Sequence, residues 1–100
     1  MIIPAEFKLL NRTWNVIPMD DATFRGSDAH GLCTHQQAEI QVYMESEPED
    51  FVAHTYFHEL VHALLETAGR EDLSKDEAFD DLLGGLLHQY SASKTGDVNE

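Results

Sequence analysis

Residues 48–68 constrain this chain more than any other stretch. Val52, Ala53, Tyr56, Phe57, Leu60, Val61, Leu64, Leu65 and Ala68 recur there at the i, i+3, i+4 spacing of an amphipathic helix. Pro48, Glu49 and Asp50 suit a first turn, with Ser46 or Glu47 near the cap, and Gly69 suits a C-terminal stop. Within the run stands His58-Glu59-Leu60-Val61-His62, an H-E-x-x-H motif. On a helix, two His four apart lie on one face, one turn above the other. Both imidazoles can then reach one Zn²⁺. Glu59 falls one step further round, beside the metal's open position, where it can take a proton from water.

A catalytic zinc takes three protein ligands and keeps one position for water. The third is expected from a second helix at about residues 74–91, whose apolar set is Ala78, Phe79, Leu82, Leu83, Leu86, Leu87 and Tyr90. Glu77, Asp80, Asp81 and His88 are available there. Glu77 is the leading candidate. Asp81, four residues on, can share its face and hydrogen-bond the outer nitrogen of a ligand His. Ser74-Lys75-Asp76-Glu77 also fits an S-x-x-E capping box, which would fold Glu77 back onto its own helix start. Asp80 or Asp81 would then lie more nearly level with His62. His54 continues the His58, His62 stripe. Three ligands on successive turns would span about 12 Å, too far for one ion, so His54 is expected at the cleft rim or on the surface.

One hundred residues suit one domain, with a small core that a bound metal would help stabilise. Before the motif helix, the pattern reads as short strands. Phe7–Leu10 is a strand or helical turn, and Thr13–Met19 is a strand ending near Pro18. Residues 20–31 form a polar loop, Leu32–His35 a short strand, and Gln36 and Gln37 a turn. Glu39–Met44 alternates, with Ile40, Val42 and Met44 on one face, as a half-buried and antiparallel strand. Strands followed by helices give an α+β fold: a small antiparallel sheet packed on two antiparallel helices. Gly84-Gly85 inside the second helix points to a close backbone approach or a kink. Residues 94–100 read as a flexible polar tail.

The net charge is −13, and the six Lys and Arg are scattered without forming a basic patch. Nucleic acid is therefore not an expected partner, and solubility suffices to explain the acidity. Residues 1–10 carry Glu6 and Lys8 and no long apolar run, so neither a leader nor a membrane span is expected, and the default location is cytoplasmic. The single Cys33 precludes an internal disulfide and suits a small core position.

With these motifs the chain resembles a minimal zincin metallopeptidase. H-E-x-x-H, a Glu on the following helix and a strand just before the motif helix carry the likeness. Asp76-Glu77-Ala78-Phe79 is similar to the E-A pattern of ImmA/IrrE-type peptidases, and Glu77 through Asp81 resembles the E-x-x-x-D of thermolysin-like gluzincins. SprT-like proteins share the short strand-then-motif layout, and the small size is similar to phage or prophage metallopeptidases. The likeness covers about residues 39–90. It implies a zinc cofactor, His58, His62 and Glu77 as ligands, and Glu59 as general base in hydrolysis of a peptide or protein substrate. It further implies that Glu39–Met44 is the edge strand that aligns the peptide. The metzincin extension is absent, since Leu65 and Ala68 occupy its positions, and no second domain deepens the cleft. Tyr90, His88, Tyr43 and His30 are candidates to stabilise the oxyanion. The competing expectation is an acidic binding or inhibitor protein in which zinc only ties two helices together. Such a site has no need of Glu59.

Overall fold

The computed structural model describes residues 3–99. Met1, Ile2 and Glu100, including the ends of the expected N-terminal segment and tail, lie outside the described residues. In chain order the elements are β1 (Glu6–Leu9), β2 (Arg12–Pro18), α1 (Asp21–Ser27), β3 (Gly31–Thr34), a 3₁₀ turn (His35–Gln37), β4 (Glu39–Val42), α2 (Glu49–Thr67), α3 (Glu71–Ser74) and α4 (Glu77–Ser93). The fold is α+β, with the sheet in the N-terminal half and the long helices after it.

The sheet is mixed, not antiparallel as expected. Its strand order is β1-β2-β4-β3. β1 pairs antiparallel to β2, β3 pairs antiparallel to β4, and β2 runs parallel to β4. The polar run after Pro18 is the reason. It holds a helix, α1, which carries the chain across so that β4 enters between β2 and β3. Asp20 caps α1 by accepting from the Thr23 amide at 2.7 Å. α1 buries no residue, so it has no apolar stripe for sequence reading to find. Its anchor is Phe24, stacked on Tyr43 with ring centroids 4.0 Å apart.

One face of the sheet packs on α2. Alternation sends Trp14 and Val16 of β2, and Ile40 and Val42 of β4, into a core completed by Val52, Tyr56 and Ala63 of α2. Met44 lies beyond the end of β4 and is partly exposed. α2 ends as expected: Gly69 takes φ 76°, and the Arg70 amide donates to the Leu65 carbonyl at 2.8 Å.

The helical half holds α3 and α4, not one helix from Ser74. Asp76 caps α4, accepting from the Phe79 amide at 3.1 Å. Gly84 then lets α4 lie against α2. A Cβ there would sit 3.0 Å from both Cα and N of His58. This is the close approach expected of the Gly84-Gly85 pair. No described helix is long and apolar enough to cross a membrane.

Candidate metal centre

α2 presents His58 and His62 on the side facing α4, with the rings 5.0 Å apart. Glu77 is the first residue of α4. Because Asp76 rather than Ser74 supplies the cap, the Glu77 carboxylate is not folded into a capping box. It meets both rings: Oε2 lies 3.0 Å from His58 Nε2, and Oε1 lies 3.3 Å from His62 Nε2. One donor atom from each of the three residues falls within 4.8 Å of the other two. A tetrahedral zinc with bonds of about 2.0–2.1 Å sets its ligand atoms about 3.3 Å apart, so the donor set and its spacing fit that ion. Glu77 is largely exposed, which leaves the centre open on one side.

The outer nitrogens are also engaged. His58 Nδ1 lies 3.2 Å from Asp81 Oδ1, the contact expected of Asp81. An ion held at Nε2 would leave Nδ1 to donate its proton to this carboxylate. His54, placed at the rim by sequence, donates from Nε2 to the same oxygen at 2.9 Å. Hydrogen bonds from His54 and then His58 hold the Asp81 carboxyl below its ordinary pKa. His62 Nδ1 lies 2.8 Å from Ser74 Oγ. Ser74 thus ends α3 and meets the His62 ring instead of capping α4.

Asp80 has no exposed surface. Its Oδ2 lies 3.5 Å from His62 Nδ1, and neither carboxylate oxygen has a hydrogen-bond partner among the described residues. Burial pushes its pKa up. A buried carboxylate without a partner beside an imidazole is what a cation in the neighbouring position would compensate. The Ser74 contact and the burial of Asp80 are not visible in sequence. For Asp80 the signal was its position on the helix facing α2, whereas Ser74 belongs to α3, which the sequence did not separate from α4.

Glu59 is buried on the sheet side of the pair. Burial raises its pKa, His58 and His62 lower it, and Glu77 and Asp80 add to the rise. Such a carboxyl, brought nearer neutrality, suits a general base. Gly31 makes its place. A Cβ there would stand 2.7 Å from Thr55 Cγ2, 2.9 Å from Glu59 Cγ and 3.0 Å from Glu59 Oε2. Only a residue without a side chain lets β3 pass this close to the motif.

The centre opens into a cleft of about 580 Å³ between β3 and the helices. β3, not β4, is the edge strand beside it, a correction to the sequence reading. β4 alternates just as an edge strand would, but it is paired on both sides. Of the four oxyanion candidates, only His30 lines the cleft. Tyr43 donates its hydroxyl to Asp21 at 2.8 Å, His88 stacks on Phe57, and Tyr90 is exposed. Cys33 also lines the cleft, packed against the core. Burial first, then Glu66 and Glu59, pushes its thiol up to about 12.

Comparison with known proteins returns no matching family model, no matching curated protein and no matching solved structure.

Proposed function

We propose that this protein is a zinc-dependent metallopeptidase of the zincin type, with His58, His62 and Glu77 as ligands and Glu59 as general base. The observation that carries the reading is the convergence of two imidazole Nε2 atoms and one carboxylate beside a buried Glu, at the mouth of a cleft. A zinc ion bound there would polarise a peptide carbonyl and acidify a water. Glu59 accepts the proton of the attacking water and returns it to the departing amine. Asp81 and Ser74 fix the tautomer and tilt of the two His. β3 offers the free backbone edge of a sheet, to which an extended peptide adds as a further strand.

The open side of the centre favours catalysis over a purely structural zinc, since structural sites close all four positions with protein ligands. The test is the Glu59→Gln variant. It keeps zinc affinity within about twofold of wild type and loses at least about a hundredfold in peptide hydrolysis. Equal hydrolysis by variant and wild type would remove the role given to Glu59.

A further inference from the structure

The cleft has two unlike ends and one sign of charge. Its lining includes the carboxylates Glu59, Glu66, Glu77 and Asp81 and not one Lys or Arg. Among the described residues none of these carboxylates pairs with a Lys or Arg; the Arg70–Asp72 pair lies outside the cleft. A divalent ion offsets only part of this charge. At one end stand His30 and Phe51, edge to face with centroids 4.9 Å apart, His30 itself packing on Phe24 at 5.1 Å. At the other end stands Glu66, close enough to Cys33 to raise its thiol pKa and shared with a second hollow lined by Leu10, Arg12 and His35.

Resting on the metallopeptidase reading, we propose that the cleft selects cationic peptides, with a Lys or Arg of the ligand at Glu66 and an aromatic or large aliphatic side chain against Phe51 and His30. Three independent features support this. The first is charge: a groove lined by one sign of charge concentrates ligands of the other. The second is the apolar seat. Phe51 is 39 % exposed although large and apolar, and the ring of His30 braces it. The third is length. Phe51 and Glu66 are fifteen positions apart on α2, about 22 Å along the axis. An extended chain at about 3.3 Å per residue covers that distance in about seven residues. The His58–His62 pair sits near the middle, so such a ligand presents its central peptide bonds to the metal position.

The experiment uses the full zinc-loaded chain carrying Glu59→Gln, so that binding is read without turnover. Fluorescence anisotropy follows a labelled heptapeptide with lysine at one end and phenylalanine at the other, in both orders. The comparison peptides carry glutamate for the lysine, or alanine for the phenylalanine. The lysine peptide, in its better order, is expected to bind at least about tenfold tighter than the glutamate peptide, and less tightly as salt rises. Adding Glu66→Gln should cost the lysine peptide up to about fivefold and the glutamate peptide nothing. Adding Phe51→Ala should cost the phenylalanine peptides alone. Equal binding of lysine and glutamate peptides, or indifference to Glu66→Gln, would overturn the proposal. Selective binding with no cleavage by the unmodified protein would leave the selectivity standing and refute the peptidase reading. Cleavage of peptides without regard to charge would do the reverse.

Discussion

At the scale of single residues, each member of the centre has a neighbour that sets its chemistry. Glu77 reaches both imidazoles because Asp76 takes over the helix cap. Glu77→Ala should therefore lower zinc affinity at least about tenfold in a chelator competition, while Asp76→Ala should cost about 1 kcal/mol of stability by weakening the cap. Unchanged zinc affinity in Glu77→Ala would pass the third position to Asp80 or Asp81. Cys33 offers a pH test. Its folded pKa, about 12, lies above the ordinary 9.0. The neutral thiol is thus favoured in the fold. Below pH 9 this costs nothing, and between about 9 and 12 the unfolded chain ionises first and stability falls. The folded protein should resist alkylation by iodoacetamide at pH 8, and the denatured chain should react. Equal rates would contradict the burial of the thiol.

At the scale of elements, two glycines decide which surfaces meet. Gly84 brings the backbone of α4 onto His58, and Gly31 brings β3 onto Glu59. A methyl at Gly84 meets backbone, which cannot rotate away. Gly84→Ala should destabilise the fold by about 1–3 kcal/mol and weaken zinc binding as α4 moves off α2. Gly26, with nothing within 4 Å of its missing Cβ, is the control. Gly26→Ala should raise stability by about 0.5–1 kcal/mol, because a helical glycine gains from a side chain. Denaturant melts and zinc titrations of both variants check this. The Gly84-Gly85 pair was legible in sequence because glycines interrupt an otherwise apolar helix. Gly31 was not, because its reason lies across the fold, in Thr55 and Glu59. α1 escaped for a related reason: it is held by a cap, by the rings of Tyr43 and His30 against Phe24, and by the Tyr43–Asp21 hydrogen bond, so no periodicity marks it. Missing it concealed the parallel β2–β4 pair.

At the scale of the whole molecule, the motif helix organises the rest. Trp14, Ile40 and Val42 pack beneath it, α4 lies along its other side, and the donors of α2 and α4 meet between them. The α+β layout was legible because the alternation of β2 and β4 and the helical spacing of α2 and α4 are local patterns. Strand order was not, since it depends on how the connections cross. A metal that links α2 to α4 in the native chain alone should raise the thermal midpoint. In so small a domain the shift should be several degrees between zinc-loaded and chelator-treated protein. Identical midpoints would argue against a native metal link. The most direct test of the central claim is X-ray absorption at the zinc edge of the loaded protein. The proposed centre should hold one zinc per chain, bound by two imidazole nitrogens and light oxygen donors at about 2.0–2.2 Å. A sulfur neighbour from Cys33, a third imidazole from His54, or no bound zinc would contradict it.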